Sequence, residues 1–547
     1  MSPGGATALS PLPPHQPVSL RGTLRRAALG AVAAAVLVTG AMVAVPDSDD
    51  APPGPVARAE AAAAAGSPAS LSDLTALIGD RQQWVRTHPS DAPSWAVLGS
   101  AYVEWGRRSA DAAYYARAEK ALRRSLAARP GERGNEAAWV GLASLAVARH
   151  DYLAAKKWGE SVRTRQPSNW SAYPVLIDAY NGLGEYKAAA TATQKFAKLR
   201  KGVPALVLTA QMYRNQGWRE DALATAQEAA DRAVTPTEKA ATLRRLGDLA
   251  WERGEPGEAV AQYEAALRLD KGLLDARAGR ARALVALDRT DEGLADYQAA
   301  IAKLPRPEYV LELGELYESL GLDGDARIQF RKLRAMLAQA KADGVNESVL
   351  LARYEADHGN PDAAVKVLRA EWDGMHRSAA VADALGWALH RAGRSEEAVE
   401  YAQRAEDTGV RDASYAYHLG MIQSALSREG SARRHLEEAL RTNPAFSPLA
   451  APLAKHALDS LGEPAPGGPE EMEAPAPDPA AAPPEPSAEP SADPAEPAPP
   501  AADPEASPAP DASADPDAPS DPAASPAPDA LPAARAAATP TAFGSPT

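Results

Sequence analysis

The sequence predicts an all-α protein whose central part is an α-solenoid of about ten helix-turn-helix repeats. Two local observations predict it: apolar residues recur three and four positions apart, and Pro is scarce between residues 71 and 461. A third is that a pattern of small and large residues returns about every 34 positions. One helix pair cannot bury its apolar stripe alone, whereas stacked pairs can, so we expect one continuous array.

The N-terminal residues predict attachment to a membrane. After a basic, disordered segment at 1–26, an uncharged run at 27–45 would span about 28 Å as a helix, near the hydrocarbon thickness of a bilayer. Arg21, Arg25 and Arg26 on one side favour a cytoplasmic N-terminus and an array outside the cytoplasmic membrane. Two interpretations stay open: a retained single-pass signal anchor, or a cleaved signal peptide that leaves a secreted protein.

The array is predicted to cover residues 71–461 and to follow an Ala-, Pro- and Gly-rich linker at 46–70. Leu74 and Ile78 predict a helix that covers the first full unit, and 446–461 predicts a capping helix at the other end. The unit that starts at Glu308 is expected to have a long second helix that ends at about Ala342.

The repeat is clearest in one unit near the middle of the chain. It carries, in order, Leu243, Leu246, Gly247, Ala250, Gly254, Ala259, Tyr263 and Ala266. The glycine in the middle marks the end of the first helix, and we expect the small residues Gly247 and Ala259 to face each other so that the two helices approach closely. Gly386 and Ala398 are expected to do the same in a later unit.

This pattern resembles the tetratricopeptide repeat, a helix-turn-helix unit of about 34 residues. The resemblance covers about ten units between Ala92 and Ala445. It implies a superhelical array whose first helices line a concave groove that binds a protein or peptide. The family's positions for binding C-terminal carboxylates of chaperones hold Ala96, Ser100, Val140 and Ser144 here, so that ligand class is not supported.

Carrying the groove positions of the family onto this sequence gives eight candidate partner-binding residues. They are Arg244, Asp248, Trp251, Arg282, Glu315, Arg353, Trp387 and Tyr417. Trp251 and Trp387, with Arg282 and Arg353 nearby, are expected to be the anchors, because Trp and Arg often carry the binding energy of interfaces. The alternative is that both tryptophans pack between repeats.

Composition excludes several other functions. The chain has no Cys, which removes thiolate nucleophiles and Cys-ligated metals, and its nine His show no metal-ligand spacing. No phosphate-binding or nucleophile motif is present, so we expect no enzymatic activity, no cofactor and no small-molecule substrate. The formal net charge of −14 argues against nucleic acid as a partner.

The C-terminal segment 462–547 holds 25 Pro, and 16 Asp or Glu against one base. It is predicted to be a disordered acidic tail, since it lacks the apolar residues to build a core. The function these features predict is a non-catalytic, membrane-tethered scaffold that binds a protein or peptide outside the cytoplasmic membrane; an assembly factor is one form of it. The alternative is a structural envelope protein whose tail spans the cell wall.

Overall fold

The structure is a computed structural model that describes residues 52–130 and 134–462. Within these ranges every regular element is a helix, and there are 23 of them. The predicted segments 1–26 and 27–45, the start of the predicted linker and the predicted tail from residue 463 onward lie outside the described residues.

The helices are numbered in chain order. Their bounds are α1 Pro55–Ala65, α2 Leu71–Thr87, α3 Ala92–Ser109, α4 Ala113–Ala128, α5 Glu136–Ala148, α6 Tyr152–Arg165, α7 Ala172–Leu183, α8 Tyr186–Leu199, α9 Val203–Asn215, α10 Arg219–Arg232, α11 Pro236–Glu252, α12 Pro256–Leu269, α13 Leu274–Val285, α14 Thr290–Lys303, α15 Pro307–Ser319, α16 Asp323–Ala342, α17 Ser348–His358, α18 Pro361–Asp373, α19 Ala379–Arg391, α20 Ser395–Glu406, α21 Ala413–Ala425, α22 Glu429–Thr442 and α23 Ala450–Ser460.

Consecutive helices pack as pairs, and each pair packs against the next. Helices α3 to α22 make ten pairs, which agrees with the ten units expected between residues 92 and 445. Helix α16 ends at Ala342, and α23 packs on α22 as a terminal helix, both as predicted. The α-solenoid predicted from the repeat spacing is therefore the architecture of the described residues.

Helix α1 lies inside the range that we predicted to be a linker. It begins at Pro55 and ends at Ala65, and the φ of +73° at the following Gly66 suits a glycine terminator. Ala59 is buried, and the Arg58 guanidinium lies 2.6 Å from Asp73 of α2. The alanine run that looks like a low-complexity linker is also the strongest helix-forming composition, so residues 55–65 of the predicted linker form a helix.

The close approach of paired helices depends on small residues, but not always opposite the residues we expected. A Cβ built on Gly247 would lie 2.6 Å from Cε1 of Tyr263, so the tyrosine ring, and not Ala259, fills the space over this glycine. At Gly386 the expectation holds. A Cβ built on this residue would lie 3.1 Å from the carbonyl oxygen of Ala398 and 2.9 Å from the amide nitrogen of Ala402.

The array coils back on itself, so that residues far apart in the chain touch. The Arg306 guanidinium donates a hydrogen bond of 3.0 Å to the carbonyl of Arg107, 199 positions earlier. The Asn443 amide donates one of 2.8 Å to the carbonyl of Trp251, 192 positions earlier. We call α3–α12 the first superhelical turn and α13–α22 the second. In the first turn, the loops that face the second turn are those that join the two helices of one pair. In the second turn, the loops that face them are those that join one pair to the next.

Glycines at these loops show which edges are covered. A Cβ on Gly184 would overlap the carbonyl of Arg377, and one on Gly254 would lie 2.9 Å from Cα of Asn443. The equivalent Gly321 and Gly393 of the second turn have no facing atom within 4 Å. The second turn therefore covers the loop edge of the first, while its own corresponding edge is open at these two loops.

Candidate functional site

One group of candidate residues forms a charged, hydrogen-bonded cluster on α11 and α13, where the first superhelical turn passes into the second. The Arg244 guanidinium pairs with Asp248, and the Tyr263 hydroxyl donates to the other oxygen of Asp248 at 2.9 Å. The Arg282 guanidinium lies 5.6 Å from the centre of the Trp251 ring and donates to Glu312 at 2.7 Å. The structure therefore brings four of the predicted residues together: Arg244, Asp248, Trp251 and Arg282.

Two further candidate residues, Trp387 and Tyr417, form another cluster, on α19 and α21. The Trp387 indole donates to Asp357 at 3.0 Å and stacks on His418, with ring centres 4.3 Å apart. The ring of Tyr417 lies 5.6 Å from that of Trp387 and 5.5 Å from that of Phe446. These contacts make Trp387 and Tyr417 part of the apolar core between repeats.

Burial corrects the expected role of the aromatic residues. Trp251 is 9% exposed, Trp387 7% and Tyr417 2%. They pack between repeats, which is the alternative we left open, because each ring fills space between adjacent first helices. The two tryptophans are therefore not exposed anchors for a partner.

Glu315 and Arg353 lie between these clusters. Glu315 lies 3.6 Å from Nε2 of the buried His358, whose Nδ1 lies 3.1 Å from Glu318. Burial lowers the pKa of His358, but the two glutamates outweigh this effect, so the pKa lies above its usual value. Arg353 is exposed and makes no hydrogen bond or ion pair within residues 52–130 and 134–462. It is the predicted cation most available to a partner.

The structure adds charged groups that we did not propose from the sequence. Arg107, Arg245 and Asp275 come from α3, α11 and α13, yet their charges influence one another or the same neighbours across the inside of the superhelix. Burial raises the pKa of Asp178, on α7, to about 6 despite the positive charges of Arg107 and Arg245. Asp178 is nevertheless exposed, so its side chain faces open space inside the superhelix.

A cavity of about 300 Å³ lies between α9, α10 and α11. Its wall combines charged and apolar side chains: Val207, Ala210, Gln211, Arg214, Ala226, Ala229, Thr242, Arg244, Arg245, Asp248, Leu249 and Glu252. Arg214 lies 2.7 Å from Glu252, and Arg244 pairs with Asp248. The volume is at the lower end of the range of about 300–1,000 Å³ that is typical of small-ligand sites.

Neither a metal cluster nor a membrane-crossing helix is found in the part of the chain that the structure describes. No group of three or more His, Asp or Glu in these residues has the arrangement that holds an ion. No helix among them is both long and apolar enough to cross a bilayer. The predicted anchor at 27–45 lies outside these residues and stays a prediction.

Comparison with known proteins finds similarity among solved structures alone. No protein-family model matches the sequence, and no curated protein matches it. The structure of the APC/C hetero-tetramer Cut9-Hcn1 is 14% identical, with a TM-score of 0.36 over 72% of this chain and 82% of that one. A tetratricopeptide repeat protein from Parabacteroides merdae is 18% identical, with a TM-score of 0.30 over 48% and 99%.

A thermophilic tetratricopeptide repeat protein from Thermus thermophilus is 23% identical, with a TM-score of 0.30 over 34% of this chain and 99% of that one. The ten stacked helix pairs of this chain have the geometry that the sequence pattern predicted. At the level of the fold, the resemblance to tetratricopeptide repeat proteins is confirmed.

Proposed function

We propose that this tetratricopeptide-type solenoid is a non-catalytic scaffold that binds a protein or peptide partner along the inner surface of its first helices. The observation that carries the proposal is a row of polar side chains, five of the six charged, at one repeated position of six consecutive first helices. Asp178, Gln211, Asp248, Arg282 and Glu315 each lie six positions before the loop residue with positive φ, and Arg353 lies six positions before Gly359, at the end of α17. A repeated row of polar groups suits an extended or helical segment laid along the array.

The signs of these charges alternate in part along the row, which favours a partner segment of mixed charge over a purely basic or acidic one. Arg282 is already paired with Glu312, and Asp248 with Arg244, so a partner gains little from these two. Arg353 has no such partner within the described residues and is exposed. We therefore expect Arg353 to contribute more to binding than the residues that are already paired.

Capture of a partner by the solubilised full chain tests the proposal. The chain, immobilised in detergent, is incubated with envelope extract beside two variants, Arg353→Glu and Arg331→Glu. Arg331 is an exposed arginine on the second helix α16, so its variant makes the same charge change away from the first helices. We expect a protein that the original chain and the Arg331 variant retain and the Arg353 variant loses. Equal retention by all three would contradict binding along the first helices.

The membrane tether is the second part of the proposal, and it rests on the sequence at 21–45. Replacing Arg21, Arg25 and Arg26 by Glu removes the positive flank that orients the apolar run. We expect protease added outside intact cells to cleave less of the array in this variant than in the original chain. Recovery of the original chain in the medium, shortened at its N-terminus, would instead show that the segment is a cleaved signal peptide.

A further inference from the structure

The cavity between α9, α10 and α11 lies where this unit has a small residue at a position that holds an aromatic ring in the next three units. Nine positions after the loop residue with positive φ, three consecutive later units carry an aromatic residue: Tyr263, Tyr297 and Phe330. The same position after Gly217 is Ala226. The alanine leaves unfilled the space that a ring takes in these three units.

The neighbouring unit turns this space into a polar one. At the next junction, Gly279 makes room for the ring of Tyr263, since a Cβ there would lie 2.5 Å from Cζ of the ring. The residue equivalent to Gly279, nine positions before the following loop residue, is Arg245. Where the next junction has the ring of Tyr263 and Gly279, this junction has Ala226 and Arg245. The guanidinium of Arg245 lines the cavity.

Charge is not balanced in this cavity. Arg214 is neutralised by Glu252 and Arg244 by Asp248. Arg245 donates one hydrogen bond of 3.2 Å, to the uncharged amide oxygen of Gln211, and forms no ion pair within the described residues. The cavity wall therefore holds three guanidinium groups and two carboxylates.

The electrostatic surroundings agree with an uncompensated cation. Burial and the neighbouring Arg244 lower the pKa of Arg245 to about 10. Asp248, which is already paired with Arg244, offsets part of this effect; beyond the cavity wall, Asp178 attracts Arg245 and Arg107 repels it. A guanidinium offers a planar pair of donors that matches a carboxylate.

We propose that this cavity binds a carboxylate on an apolar stem, with Arg245 as its ion-pair partner and Ala226, Ala229 and Leu249 around the stem. The source to which we commit is an acidic side chain of the partner segment, so this assignment of source rests on the proposed function. The carboxylate site itself rests on the cavity and its unbalanced charge.

Binding of small probes to the full chain tests the site. Four probes are titrated by calorimetry: a capped tripeptide Leu-Glu-Leu, the same peptide with Gln in place of Glu, an acetylated Leu-Leu-Leu with a free carboxyl end, and hexanoate. We expect the Glu peptide to bind at least about tenfold more tightly than the Gln peptide, because only the former forms a charge-assisted pair. Equal affinity of the two would overturn the proposal. Binding of hexanoate or the free-acid peptide without the Glu peptide would overturn the acidic side chain as source.

Three variants assign the binding to the cavity. Arg245→Gln should lower the affinity for the Glu peptide by about tenfold or more, and Arg245→Lys should restore part of that affinity. Ala226→Phe should abolish binding with the charge kept, because the ring fills the space, while its thermal midpoint should not fall. Arg331→Gln, on an exposed helix surface, should bind as the original chain does. Unchanged binding in both Arg245→Gln and Ala226→Phe would place the probe elsewhere and overturn the proposal.

The two proposals can fail separately. A partner that is lost by Arg353→Glu, together with no selectivity for the Glu peptide, would leave the scaffold function standing and overturn the cavity. Selective binding of the Glu peptide that depends on Arg245, together with no captured partner, would support the carboxylate site and overturn the scaffold function.

Discussion

At the scale of single residues, Glu406 makes stability depend on pH. Burial, together with the negative charges of Glu438 and Asp383, raises the pKa of this carboxyl to about 8. The folded chain therefore keeps a proton that the unfolded chain releases near its ordinary pKa of 4.5. The stability that this proton provides is fully present below pH 4.5 and is lost as pH rises toward 8.

Glu406→Gln should remove this dependence. We expect the variant to raise the free energy of unfolding by about 1–2 kcal/mol at about pH 7.5, after allowing for the partial exposure of the side chain, and by much less at about pH 4.5. Denaturant unfolding at the two pH values measures the difference. Glu429→Gln, at an exposed position early in α22, is the control and should change neither value. An equal gain for Glu406→Gln at both pH values would contradict the linkage.

Residue-level predictions from the sequence were right about position and incomplete about environment. The repeat spacing placed Asp248, Arg282 and Arg353 at equivalent sites of the first helices. It did not predict that Trp251 and Trp387 are buried, because the contacts that cover them come from other units. The Trp251 carbonyl, for example, accepts a hydrogen bond from Asn443 of the loop that follows α22. Arg245 was not predicted, because the cavity that it lines is indicated in the sequence only by Ala226, at a position where the next three units have a ring.

At the scale of helix pairs, the glycine over Tyr263 controls how closely α11 and α12 approach. Gly247 and Gly257 are both helical glycines, but only Gly247 has a facing ring, whereas Gly257 has no atom within 4 Å. In an exposed helix, Gly→Ala stabilises by about 0.5–1 kcal/mol through backbone entropy. At Gly247 the added methyl forces the ring of Tyr263 to move.

We therefore predict opposite effects for the two substitutions. Gly257→Ala should raise the thermal midpoint slightly, and Gly247→Ala should lower it, with a net cost of about 1–3 kcal/mol from overpacking. Thermal unfolding followed by circular dichroism compares them directly. A gain in both would show that the ring of Tyr263 moves aside without cost, contrary to the packing seen here.

Helix pairs were the most predictable part of the fold. Periods of three and four within a helix and of about 34 between pairs come from backbone geometry and from stacking, so they are visible in a single sequence. Helix α1 was missed because alanine gives helical propensity without an apolar pattern. What holds α1 in place includes distant groups, such as the hydrogen bond of 2.8 Å from Arg200 to the carbonyl of Ala64.

At the scale of the whole molecule, contacts between the two superhelical turns should stabilise the array. Gly184 and Gly393 provide a matched comparison, since both end a first helix with φ of +77°. Alanine at either site costs about 1–2 kcal/mol of backbone strain. Only at Gly184 would the methyl group also overlap the carbonyl of Arg377 in the facing turn.

Gly184→Ala should therefore be more destabilising than Gly393→Ala and should open the gap between the turns. Denaturant unfolding measures the first effect, and the distance between spin labels at exposed sites on the two turns measures the second. Equal destabilisation with an unchanged distance would show that the contacts between the turns contribute little.

These contacts could not be predicted from the sequence. Each repeat specifies its neighbour, but whether the second turn reaches the first depends on a small rotation and rise per unit that accumulate over about six units. No residue pattern marks Gly184 as facing Arg377, since Gly393 occupies the same place in its own unit and has no facing atom within 4 Å.

The contact between the turns also limits how such a chain can change its length. An open solenoid can gain or lose one repeat by duplication or deletion, because each unit touches only the next. Here a helix pair added between Gly184 and Arg377 would move every loop of the second turn one place along the edge of the first. The donors Arg306 and Asn443 would then meet different carbonyls, and the glycines at Gly184 and Gly254 would face different backbone. Repeat number in this protein is therefore tied to sequence at sites almost two hundred residues apart.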